Sequence, residues 1–161
     1  MKKINILRIF SALLTFIIII IIFLFSSENA DNSSDTSGYL VKIIISFFHE
    51  NFESMAKYQQ KEIFDEISHI IRKTAHFSIY TALGFCLSLA VGKRKIISLK
   101  SFLVIVFCFL YACSDEIHQY FVAGRSCMFT DVIIDTCGSI TGLAISAIIL
   151  TIISKKSKGR T

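Results

Sequence analysis

Residues Ile9–Phe25 read IFSALLTFIIIIIIFLF, an apolar run in which Ser11 and Thr15 are the only polar members. At 1.5 Å per residue, a helix of about 18 to 22 residues crosses a hydrocarbon core roughly 30 Å thick. Lys2, Lys3 and Arg8 precede the run. A cleaved signal peptide would look similar, but its apolar region is usually shorter, so an uncleaved spanning helix is expected here. Three further apolar blocks follow: Thr74 to Val91, about Ile96 to Cys113, and Val132 to Ile153. A water-soluble bundle would need polar faces on such helices, and most of these blocks have none. The expected fold is therefore all-α: a polytopic integral membrane protein, one domain over residues 1–161, with spans near 9–25, 74–91, 96–113 and 132–153.

The composition agrees. Of the 161 residues, 53% are hydrophobic, and proline and tryptophan are absent, so no ring breaks a helix. Five cysteines form no CxxC pair. Cys86, Cys108 and Cys137 lie in apolar blocks, where thiols usually act as small hydrophobes. Cys113 and Cys127 are placed to meet at one surface, which leaves a disulfide between them open.

Charge sets the expected orientation. With a cytoplasmic N-terminus, the inner segments carry Lys2, Lys3, Arg8, Lys93, Arg94, Lys95, Lys100, Lys155, Lys156, Lys158 and Arg160, and no acid. All 12 acids fall in or beside the outer segments. This matches the excess of cytoplasmic Lys and Arg in membrane proteins and puts both termini in the cytoplasm. The basic tail can hold anionic lipid but is too small for a nucleic-acid site.

The outer segment, residues 26–68, is expected to divide in two. Ser26 to Gly38 is rich in Ser, Asn and Asp and reads as a flexible linker. From Tyr39 to Glu50 the polar residues Lys42, Ser46, His49 and Glu50 form one narrow helical stripe, as on a helix lying in the outer interface or packed on the bundle. Ile63, Ile67, Ile70 and Ile71 then recur at helical spacing and predict a polar helix running directly into the second span.

The unusual polar residues gather at the outer ends. Lys73, His76 and Tyr80 share one face of the second span. Asp115, Glu116, His118 and Gln119 cluster at the end of the third, and the next loop supplies Gly124 and Arg125. Asp131, Asp135, Gly138 and Gly142 lie on one continuous face of the fourth. The GxxxG spacing of Gly138 and Gly142 permits close helix approach, so this face should point into the protein. An ionisable side chain in a span needs a partner or water. Convergence of Lys73, His76 and Arg125 on Glu116, Asp131 and Asp135 would meet that need. Two readings stay open: an ion-pair clamp that fixes helix register, or a site gripping an anionic headgroup, with Glu116 or His76 handling a proton. A metal site from His76, Glu116 and Asp131 has no close ligand spacing behind it, and no metal is assigned. No P-loop, dinucleotide fingerprint or nucleophile elbow occurs, and no cofactor is expected.

The stretches Ile71-Arg72-Lys73-Thr74-Ala75-His76-Phe77 and Ser114-Asp115-Glu116-Ile117-His118-Gln119 resemble the VanZ-like family. So do Gly124-Arg125-Ser126, Phe129-Thr130-Asp131-Val132 and Ile134-Asp135 before Gly138, over about Val41 to Leu150. The resemblance implies a bacterial cytoplasmic-membrane protein of the cell envelope, and the founding member is associated with low-level resistance to teicoplanin. It also implies motif roles for Lys73, His76, Glu116, Gln119, Arg125, Asp131 and Asp135, and it brings no established reaction. Ile79 stands where relatives commonly carry an acid, and Ala123 where they often carry proline.

The leading expectation is an envelope protein that modulates access of lipid-tailed glycopeptides. The alternative is a membrane-embedded enzyme on a lipid-linked envelope precursor, with Glu116 and His76 as candidate catalytic residues and Lys73 and Arg125 binding phosphate. Transport fits less well, because four spans leave little room for a pathway.

Overall fold

A computed structural model describes residues 2–48, 51–92, 97–125 and 127–158, with the side chains of 2–5, 30–37 and 156–158 not described. Helices α1 (Lys2–Ser26), α2 (Ala30–Phe48), α3 (Lys57–Val91), α4 (Leu99–Tyr120) and α5 (Phe129–Lys158) follow in order, with a 3-10 turn at Phe52–Ser54 before α3. Among the described residues there is no strand. Among those residues, four helices are long and apolar enough to cross a membrane: Ile6–Ser26, Lys57–Val91, Leu99–Tyr120 and Phe129–Lys155. The protein is an all-helical, polytopic membrane protein, as the apolar blocks predict.

The expected linker is a correction. Only a short break separates α1 from α2, and the backbone is already helical at Ala30. The apolar stretch from Tyr39 onward provides a helix that can grow backwards. Further along α2, Val41 and Ile45, one turn apart, are buried. Gly38 faces the Phe64 ring of α3. Tyr39, Leu40, Phe47 and Phe48 on the same helix are exposed. Of the predicted polar stripe, Lys42 and Ser46 are exposed, while His49 and Glu50 lie outside the described residues.

The polar helix expected before the second span is continuous with it. At 35 residues, α3 has a length of about 52 Å, well beyond a 30 Å core. Its first half carries the charged residues Lys57, Lys61, Glu62, Asp65 and Glu66, all exposed, and α2 packs beside it. Gln60 ties this half to the preceding turn by donating to the carbonyls of Phe52 and Met55, at 3.0 and 3.1 Å.

The closest helix pair is α3 with α5, and small residues explain why. A Cβ on Gly142 would stand 2.0 Å from the Thr81 carbonyl oxygen, and one on Gly138 would stand 2.5 Å from that of Phe77. Gly84 supplies the reciprocal gap on α3, where a Cβ would meet the Ser139 carbonyl oxygen at 2.2 Å. Serines stitch the seam: Ser146 donates to the Ser88 hydroxyl at 2.6 Å, and Ser139 donates to the Tyr80 carbonyl at 3.3 Å. Close backbone approach and interhelical hydrogen bonds drive association where hydrocarbon cannot. Around this pair, α1 contributes Ile22 to a core shared with Leu83, Cys108 and Leu143.

Polar ties hold α1 along its length. Tyr111 of α4 donates to the Ile19 carbonyl at 2.8 Å. Arg8 donates to the Ala90 carbonyl at 3.0 Å, at the end of α3 where Gly92 (φ +71°) turns the chain out of the helix. A cation there complements the unpaired carbonyls and the dipole of a helix C-terminus. Elsewhere the spans present large apolar side chains such as Phe16, Phe102, Leu110 and Ile148 outward.

The seam generates a stability prediction. Gly142→Ala and Gly84→Ala are each expected to destabilise the detergent-solubilised protein by about 2 kcal/mol, because backbone must move to admit the methyl group. Gly38→Ala, whose Cβ meets only Phe64 at 3.9 Å, is expected to be neutral or mildly stabilising, since alanine is the better helix former. Reversible unfolding of the purified variants checks the contrast.

Candidate functional site

At the end of the bundle where α1 and α4 stop and α5 begins, three helices bring ionisable groups together. From α3, Lys73 donates to the Asp131 carboxylate at the first turn of α5. One turn deeper, His76 Nδ1 stands 3.6 Å from Asp135 Oδ2. That separation is too long for a good hydrogen bond but close for opposite charges. Asp135 has 0% of its surface exposed, and neither of its carboxylate oxygens has a hydrogen-bond partner among the described residues. The Tyr80 hydroxyl, a turn beyond His76, is likewise buried without one.

The α4 contribution comes from behind. Asp115 and Glu116 are 5% and 1% exposed. Gln119 donates its amide to Asp115 Oδ2 at 3.2 Å. Glu116 Oε2 accepts the Met128 backbone N–H at 2.9 Å, while Oε1 has no partner among the described residues. Glu116 thereby fastens the chain just before α5 to the end of α4. His118 turns away from this group: its Nε2 lies 3.1 Å from the Ser27 hydroxyl and its ring packs on Phe23 at 4.9 Å.

Arg125 does something the sequence did not suggest. Its guanidinium donates to the carbonyls of Glu28 at 3.1 Å and Phe25 at 3.2 Å, and so caps the C-terminal end of α1. Its orientation is therefore toward backbone oxygens, as for Arg8 at the opposite end of the molecule. Burial lowers the Arg125 pKa, and nearby Arg72 adds to that; Glu28 opposes it. Gly124 just before it takes φ +75°, a left-handed conformation natural to glycine, and turns the loop.

Of the predicted site residues, Lys73, His76, Asp131 and Asp135 line one shallow cleft between α3 and α5, with Arg72 and Ile134. The cleft holds no space of water size. Glu116 and Gln119 stand behind it on α4, and Arg125 is spent on α1. Ser126, part of the loop motif, lies outside the described residues. Sequence reasoning left Asp115 out of the site. One atom each from His76, Asp115 and Asp135 lie within 4.8 Å of one another, a trio with the donor types of a metal site. A signal for Asp115 existed: Val104, Cys108, Ala112, Asp115 and Gln119 are buried at helical spacing, so Asp115 extends an inward-facing stripe. Cys113 and Cys127, left open as a disulfide, are both free thiols.

Fold and site together define a four-span helical membrane protein whose spans lock against one another through a dry ionisable nest at one end. The chain belongs to the VanZ-like family: the VanZ/LLP1 family model matches residues 10–150, which brings α1 inside the family region as well as the motif-bearing helices. No curated protein and no solved structure matches the chain.

The cap on α1 generates a prediction. Arg125→Ala leaves the Phe25 and Glu28 carbonyls without their charged donor and is expected to lower stability by about 2 kcal/mol. Arg125→Lys, which keeps the charge but not the fork, is expected to recover only part of it. Thermal unfolding of the purified protein in detergent reads both.

Proposed function

We propose that this chain is a multi-pass protein of the bacterial cytoplasmic membrane with both termini in the cytoplasm, and that it modulates access of lipid-tailed glycopeptides such as teicoplanin to the cell surface without catalysing a reaction. The charge distribution supports the orientation: one end of the bundle carries Arg8, Lys100 and Lys155 with no acid, and the nest and the polar half of α3 lie at the other. The nest then sits just below the outer boundary, and the exposed apolar face of α2 rests on the outer leaflet. Membership of the VanZ-like family supports the envelope role, through the founding member's association with teicoplanin.

The observation that carries the non-catalytic reading is that the nest is closed. Its cleft has no room for a headgroup, Lys73 is engaged by Asp131, and Arg125 by α1 carbonyls. The competing reading needs Lys73 and Arg125 to hold a phosphate, and the geometry turns the two cations to different partners. What favours that second reading is the unpartnered Glu116 Oε1, a carboxylate oxygen held in place by its sister's bond to Met128.

Glu116 separates the two. Glu116→Gln keeps an acceptor for the Met128 N–H and is expected to leave both protein level and teicoplanin susceptibility near wild type. Glu116→Ala strands that N–H and is expected to lower the amount of protein in the membrane. Loss of the susceptibility effect in Glu116→Gln at normal protein level would establish the enzyme instead. The orientation has its own check, in chains where a single cysteine is kept. A membrane-impermeant maleimide is expected to label Cys127 in intact cells, and Lys155→Cys only after permeabilisation.

A further inference from the structure

The trio of His76, Asp115 and Asp135 has a surplus of negative charge and too few partners. Two aspartates, 5% and 0% exposed, face each other across a helix interface. The imidazole of His76 stands beside them, and among the described residues its Nδ1 and both Asp135 oxygens lack hydrogen bonds. Lys73, the nearest lysine on the same helix face, is already bonded to Asp131. A carboxylate so buried normally collects two or three donors. Leaving one bare in hydrocarbon is among the costlier arrangements a membrane protein can hold.

From this we infer that His76, Asp115 and Asp135 form a binding site for one divalent transition-metal ion of the zinc or manganese class. The donors suit it: one imidazole nitrogen and two carboxylates, contributed by three different helices. Their charges balance, since two carboxylates neutralise a divalent ion. The spacing is near what coordination needs. Four-coordinate zinc with bonds of about 2.1 Å places its ligand atoms about 3.4 Å apart. His76 Nδ1 and Asp135 Oδ2 are at 3.6 Å, and the whole trio spans 4.8 Å, so side-chain rotation closes the remainder. Outer support is in place: the Gln119 amide donates to Asp115 Oδ2 at 3.2 Å and orients that carboxylate. The site is independent of any effect on glycopeptides, because it requires only the three donors.

The test uses the full chain in detergent, free of any histidine tag and stripped with a chelator. Zinc chloride or manganese chloride is added, unbound ion is removed by gel filtration, and metal is counted by mass spectrometry. One ion per chain is expected, along with a rise in the unfolding midpoint that chelator reverses. Asp135→Asn and His76→Gln are expected to weaken binding at least about tenfold, whereas Asp65→Asn and His69→Gln on the exposed half of α3 leave it unchanged. Bound cobalt should show d–d absorption without thiolate charge transfer, which rules the five cysteines out as ligands. A folded wild-type chain that retains no ion overturns the site. So does equal retention by Asp135→Asn and His76→Gln, and Asp115→Asn supplies a third variant should either fail to fold.

Discussion

An ionised side chain within a membrane span must be answered from inside the protein, because lipid offers neither donors nor dielectric. In this chain that requirement fixes how four helices meet. Asp131 and Asp135 sit on the face of α5 that also bears Gly138 and Gly142, and the glycines bring that face against α3 backbone to backbone. The approach is what delivers Lys73 to Asp131 and His76 to Asp135. Shift α5 by one residue and the glycines and both acidic partners lose their counterparts together. Packing and electrostatics therefore specify the same register twice, by unrelated forces.

The remaining helices are secured mainly by backbone groups that would otherwise be orphaned. Arg8 covers the end of α3, Arg125 covers the end of α1, Tyr111 reaches an α1 carbonyl, and Glu116 takes the amide just before α5. Each is a polar side chain satisfying one or two main-chain atoms across a sequence separation that the fold has closed. Such contacts carry direction as well as energy, which dispersion among isoleucines cannot supply.

The spans were legible because hydrophobic length is a strong signal, and the unbroken run from the polar half of α3 into its span was legible from isoleucines at helical spacing. The linker was misjudged because Ser, Asn and Asp signal turns in isolation, whereas a neighbouring helix can extend through them. The nest was partly legible: Lys73, His76, Asp131 and Asp135 share faces of their own helices, and one clash-free crossing unites them. Asp115 was obscured by Glu116 beside it, which looks equivalent in sequence and differs by about 100° around the helix. Arg125 was misdirected because a carbonyl partner leaves no mark in the residue code; any amino acid at position 25 or 28 provides one.

The great length of α3 has a mechanical meaning. One uninterrupted rod, free of proline, forms both a wall of the nest and the stem of the lobe that α2 braces. Lys57 lies about 24 Å from Lys73 along its axis. A tilt of roughly 10° pivoting near Lys73 would sweep the far tip through about 4 Å, by the same helical rise. The same rod therefore carries the position of the lobe and the position of Lys73 opposite Asp131 in one rigid element.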